Sequence, residues 1–127
     1  MSRPIGRGWA TVELERAAGE LADLLRRGAA FEPAARSVVL GAQCRRGIPA
    51  DGSHSILILE PDTEGRLALF LARHGEGWAA TWLGEDGAAP QVGAARGSGP
   101  LGPESLEPGG PPAGPFRLRV SPATIEP

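Results

Sequence analysis

The sequence predicts an α+β fold: one or two N-terminal helices packed on a small antiparallel β-meander, followed by a Gly/Pro-rich irregular arm. Three observations carry that expectation. Apolar residues recur at helical spacing between Leu14 and Leu25. After Asp51-Gly52 the apolar period shortens to two. From Gly84 to Pro115, 16 of 32 residues are Gly or Pro. Such a segment builds no core of its own, because Pro lacks a ladder donor and Gly loses the most backbone entropy on ordering. The expected division is a flexible lead-in over 1–8, an α+β body over 9–86 and an arm over 87–127.

The first helix has the clearest signals. Thr11 suits an N-cap, and Glu13 and Glu15 suit the first turn. Leu14, Ala17, Ala18, Leu21, Leu24 and Leu25 then form one stripe. Arg26 and Arg27 favour a helix C-terminus, and Gly28 suits the left-handed residue beyond it. The stretch from Phe31 to Gly47 reads as a second helix, with Pro33 in its first turn and Gly47 after its end. Ser37-Val-Val-Leu40 also reads as a short buried strand.

Three strand-like runs follow, His54–Glu60, Arg66–Arg73 and Trp78–Leu83, joined by short turn-rich links. Short links imply an antiparallel meander. Asp86-Gly87 then signals a turn where the arm begins. All three runs are apolar on both faces, so both faces need cover. Phe116-Arg-Leu-Arg-Val120 alternates cleanly and reads as a half-buried edge strand. Within the arm, Pro100–Pro103 and Pro108–Pro115 favour polyproline II. No internal repeat is visible.

Composition excludes several chemistries. The 127 residues carry 13 Arg, 15 acids and a net charge of −2, which is no footprint for nucleic acid. Lys, Asn and Tyr are absent, as in a GC-rich, bacterial coding bias. Without Lys there is no phosphate-loop lysine and no Schiff-base amine. The single Cys44 excludes an internal disulfide and fits a reducing compartment, the cytoplasm. No signal peptide is expected at the N-terminus, and the longest aliphatic run, Ile56–Leu59, is far too short for a membrane span.

The catalytic candidates are sparse. Leu69-Phe-Leu-Ala-Arg-His-Gly-Glu76 locally resembles the histidine phosphatase family, which would make His74 a nucleophile and Arg73 a phosphate clamp. That family needs a second His later in the chain, and none follows His74. Cys44, Asp51, His54 and His74 supply the residue types of a Cys–His nucleophile. The same residues match no zinc spacing, so neither metal nor cofactor is expected. The acidic pairs Asp62–Glu64 and Glu85–Asp86 fall in turns, where carboxylates act as solvated caps. Gly6-Arg-Gly8 precedes the first helix but follows no strand signal.

The function expected from these features is a small non-catalytic bacterial accessory protein that binds a protein partner or a second copy of itself. Trp78 and Trp82, placed on one strand face, would anchor the contact. Phe116, Leu118 and Val120 would dock the arm, with Arg117 and Arg119 outside. The alternative is a small-molecule-binding or hydrolytic α+β domain using Cys44, His54 and His74.

Overall fold

The structure, a computed structural model, describes residues 2–85 and 94–120. Its elements in chain order are β1 (Ser2–Ala10), α1 (Leu14–Leu21), β2 (Glu32–Ser37), β3 (Ala42–Gly47), β4 (Ser55–Pro61), α2 (Arg66–His74), β5 (Gly77–Glu85), β6 (Arg96–Gly97), β7 (Glu104–Leu106) and β8 (Phe116–Val120). All eight strands join one curled sheet in the order β2-β3-β4-β1-β5-β8-β7-β6. The expected α+β meander with an arm is therefore corrected to a mostly β half-barrel with two short helices.

The sheet is built twice over. In the first half β1 lies parallel to β4, while β3 pairs antiparallel with β4 and β2 with β3. In the second half β5 lies parallel to β8, while β7 pairs antiparallel with β8 and β6 with β7. The halves meet where β1 runs antiparallel to β5. At the far edges Val38 N–H donates to the Ser98 carbonyl (3.0 Å), so the turn after β2 touches the loop after β6. No residue-level periodicity records this duplication.

The expected lead-in over 1–8 is the central strand. Its apolar signal is weak because two of its inward positions are glycines. A Cβ on Gly8 would sit 2.7 Å from Leu59 Cδ1 and 2.9 Å from the Trp82 ring. A Cβ on Gly6 would sit 2.6 Å from Leu101 Cδ1. The large side chains of neighbouring segments fill the space that β1 leaves open.

Residues 31–47 form a β-hairpin rather than a helix. Ser37–Leu40 belongs to its bend, and Gly41, at φ +72°, closes it. The run Arg66–Arg73 is helical, not a strand. It contains no β-branched residue, and Leu67 and Phe70 bury one helical face. Glycines with positive φ, Gly65 and Gly75, bound α2. The Arg73-His74-Gly75 triplet thus ends a helix, not the strand that the phosphatase resemblance requires.

α1 forms where the stripe predicts a helix but ends at Leu21 instead of running on to Arg27: a 3-10 turn over Ala22–Leu24 follows, Leu24 is exposed, and no basic residue closes the last helical turn. Leu14 and Ala17 pack on Ile58, and Gly28 takes φ +83°. Thr11 lies just before the helix: its N–H extends the β1 ladder to the Leu59 carbonyl, and its Oγ1 accepts from Glu13 N–H. The segment expected to be an arm supplies β6, β7 and β8. Phe116, Leu118 and Val120 share one core with Leu57, Leu59, Leu67, Phe70 and Trp82. β8 is an interior strand between β5 and β7, not an edge. The Pro-rich stretches 100–103 and 108–115 are the loops flanking β7. The Asp86-Gly87 turn lies outside the described residues. Among the described residues, no helix is long and apolar enough to cross a membrane.

Replacing Gly8 by Val should lower unfolding stability by about 2 kcal/mol, because the rigid, buried Trp82 ring has nowhere to move. Urea denaturation followed by tryptophan fluorescence measures this loss.

Candidate functional site

The concave face of the sheet is filled. Register places Gly6, Gly8, Leu57, Leu59, Cys44, Ala80, Trp82 and Leu118 on this face. α2 covers it with Leu67 and Phe70, and the Phe70 and Phe116 rings lie 6.4 Å apart. Trp82 is fully buried here.

One carboxyl group enters this apolar interior. Glu104 on β7 is 3 % exposed. Its Oε1 accepts from the Trp82 indole N–H (2.8 Å) and its Oε2 from the Ser37 hydroxyl (2.6 Å). Ser37 Oγ in turn accepts from Leu40 N–H. The carboxyl therefore links the bend of the first hairpin to β5 and β7. Burial pushes its pKa up, and the bonds from Ser37, Trp82 and the Val39 backbone only partly oppose that. Gly99 leaves room for it, since a Cβ there would fall 1.9 Å from Oε1. Sequence reading passed over Glu104 because it stands in a Pro/Gly-rich stretch. The available signal was an isolated acid beside apolar Leu106 in the pattern Glu104-Ser-Leu106.

Trp78 and Trp82 do not share a face. A register shift in the β1–β5 pairing sets Gly8 opposite Ala80 but Trp9 opposite Trp78. The bulge turns Trp78 to the convex side, where it is 37 % exposed. There it meets Trp9 edge-on at 5.2 Å, with the Arg7 guanidinium 4.1 Å above its ring. Beside it, Glu76 accepts from Trp9 Nε1, Thr11 Oγ1 and Arg16, tying α1 to the sheet. Burial pushes the Glu76 carboxyl up, but these bonds outweigh it and hold it below the usual range.

The remaining candidates are dispersed. Phe116, Leu118 and Val120 are core residues. Arg117 bonds Glu107 (3.0 Å), and Arg119 lies 3.9 Å from the same carboxylate. Cys44 is buried on β3, His54 precedes β4 beside Ser53, and His74 ends α2 against Phe70. Burial pushes the Cys44 thiol up to about 12, so it is no thiolate nucleophile near neutral pH. Among the described residues, no group of three His, Cys, Asp or Glu converges to hold a metal ion.

Open space lies on the outside instead. A groove of about 960 Å³ runs between α1 and the β2–β3 hairpin, lined by Glu13, Glu15, Arg16, Arg36, Arg45 and Glu60 among others. Its arginines are neutralised: Arg16 pairs with Glu13, Glu20 and Glu76, Arg36 with Asp62, and Arg45 with Glu15. A second cleft, about 430 Å³, opens at the other end of the central strands. Arg3, Arg46, His54, Ser53 and Ser55 line it, and among the described residues no carboxylate does.

Two outcomes follow from the interior. Native Cys44 should react with iodoacetamide at pH 7.5 about a hundredfold more slowly than in the urea-unfolded chain, as mass spectrometry would show. The raised Glu104 pKa contributes stability below the unfolded carboxylate value of about 4.3, and that contribution is lost as pH rises through the folded value. Melting temperatures between pH 4 and 8 should therefore decline less steeply for Glu104→Gln than for the native chain.

No protein-family description matches this sequence, and no curated protein does. Solved structures do. The crystal structure of methylmalonyl-CoA epimerase from Mycobacterium tuberculosis superposes with a TM-score of 0.69 at 17% identity, over 95% of this chain and 88% of that one. The Streptomyces coelicolor methylmalonyl-CoA epimerase (E43Q), in complex with 2-nitronate-propionyl-CoA, gives 0.65 at 16% identity, over 96% and 98%. A hypothetical protein from Bacillus halodurans C-125 gives 0.67 at 14% identity, over 99% and 98%. The expectation of a partner-binding accessory protein is overturned. Its motive was a two-sided apolar sheet left uncovered, whereas this chain's own helix and strands fill the concave side, and the likeness is to enzyme folds. The fold is the vicinal oxygen chelate, or glyoxalase-like, fold.

Proposed function

We propose that the protein is a small-molecule-binding domain built on the glyoxalase-like scaffold, acting in the cytoplasm and binding without a metal ion. The observation that supports this reading is the superposition on methylmalonyl-CoA epimerases along nearly the whole chain. Those proteins act on or bind CoA thioesters, so an acyl-CoA is the first ligand class to examine here.

The metal that the fold's name implies does not fit this chain. On the concave face Gly6, Gly8, Leu57, Leu59, Ala80, Trp82 and Leu118 offer no side-chain donor to a metal, and the one soft donor among the described residues there, Cys44, is a buried thiol held neutral by its apolar surroundings. Glu104, the carboxylate that enters the face, is taken by Trp82 and Ser37. No catalytic step is assigned through a metal. A hydrolytic role for Cys44 finds no support either, because the thiol is buried and neutral and its hydrogen bond goes to the Ala42 carbonyl. Binding uses the outer clefts.

Thermal shift measurements against propionyl-CoA, methylmalonyl-CoA and phosphorylated metabolites, with and without EDTA, test this reading. A ligand at a hundredfold excess over its Kd should stabilise the fold by about 2.7 kcal/mol, a shift of several degrees, unchanged by EDTA. No shift at millimolar ligand, or a shift abolished by EDTA, contradicts the proposal.

A further inference from the structure

We infer that the cleft between the start of β1, the end of β3 and the start of β4 is a binding site for a phosphate-class anion, with Arg3 and Arg46 as its cationic walls and the His54 ring beside them. The identity of the ligand's remaining part rests on the small-molecule reading above; the anion site itself rests on the geometry that follows.

The three side chains arrive from three separate segments. Arg3 comes from β1, Arg46 from β3 and His54 from the β3–β4 loop. The parallel β1–β4 pairing, which sets Gly6 beside Ser55, brings these segments to one end of the sheet. The antiparallel β3–β4 pairing, with Gly47 beside Ile56, brings the end of β3 there too. The chain is net acidic and most arginines in the clefts already described face carboxylates. Here the described lining residues include none. Among the described residues, Arg3 makes no ion pair, and the Arg46 guanidinium donates to the Ser55 hydroxyl (2.8 Å), a neutral partner.

Arg46 and His54 are also held in place. The Ser55 bond fixes the Arg46 fork, and Ser55 is itself buried. Asp51 accepts from both the N–H (2.9 Å) and the hydroxyl (2.7 Å) of Ser53. With its proton committed to Asp51, Ser53 Oγ accepts from His54 Nδ1 (3.2 Å), so Nε2 donates to an anion only when the ring carries both protons. Asp51 lies behind this relay and does not line the cleft.

Two guanidinium groups held around one cleft with no carboxylate among its described lining residues repel one another, and an anion relieves that cost. Two guanidinium forks converging from β1 and β3 suit several acceptor oxygens at once. A lone carboxylate supplies two, whereas phosphate or diphosphate supplies more. At about 430 Å³ the cleft falls within the usual size of small-molecule sites and holds more than a single phosphate.

Calorimetry of the full chain with inorganic pyrophosphate tests the assignment, paired with NMR of the histidine ring protons. The chain has two histidines, so His74→Gln assigns both sets of resonances. Saturable binding should shift the His54 resonances and leave those of His74 in place. Arg46→Gln, which keeps a donor for Ser55, and Arg3→Ala should each weaken binding about tenfold. Arg73→Ala, on the exposed end of α2, should not. Unmoved His54 resonances at millimolar pyrophosphate, or native affinity in both arginine variants, would overturn the site. Pyrophosphate binding at His54 without any organic ligand would leave the site standing and sink the small-molecule reading. An organic ligand indifferent to Arg46→Gln and Arg3→Ala would do the reverse.

Discussion

The absence of side chains at Gly6 and Gly8 is the constraint on which the rest of this structure depends. These glycines stand on the strand that joins the two half-sheets, and their inward positions are occupied by Leu101, Leu59 and Trp82. Because β1 gives up its volume, the Trp82 indole can lie across the middle of the curl and reach Glu104. That contact, with the Ser37 hydroxyl, draws the first hairpin against the second half. The apolar filling, the buried carboxyl and the closure of the concave side therefore share one cause.

A filled interior changes where chemistry can happen. The curl of the sheet normally offers a concave surface for a ligand. Here Trp82 and leucines occupy it, and the Glu104 carboxyl and Ser37 hydroxyl that enter it are committed to each other and to the Trp82 indole. The large groove beside α1 is a zone of paired charges, rigid and electrically balanced. The smaller cleft at the other end keeps its positive charge. Burial of Cys44 and Glu104 removes two groups from reactivity, while exposure of Arg3 and Arg46 leaves two available.

How much of this was legible in the sequence depends on whether a signal was local. The start of α1 was readable, because its apolar stripe acts within one segment; its end was not, since the helix stops at Leu21, well before Gly28. The strand character of Ser55–Pro61 and Gly77–Glu85 was readable from the two-residue period. The nature of Arg66–His74 was not, since leucines at 67, 69 and 71 fit a strand while Leu67 and Phe70 fit a helix; propensity decided it. β1 was missed because its defining residues are glycines, whose value lies in what other segments place beside them. The short strands after residue 94 were missed for a related reason. Gly and Pro dominate the loops around them, and β6 and β7 span two and three residues. Of the site, His54 was singled out as a nucleophile's partner, while Arg3 and Arg46 carried no signal of their own; only the register of β1, β3 and β4 brings the three together.

The hydrogen bond from Val38 to Ser98 has a bearing on self-association. A chain this rich in strand risks exposing unpaired ladder groups that recruit other molecules into fibrils. Joining the two outermost margins through the chain's own backbone removes part of that template. Pro33, in the outermost strand of the first half, withholds a donor from what is left. The same curl that packs the interior thus also guards the perimeter.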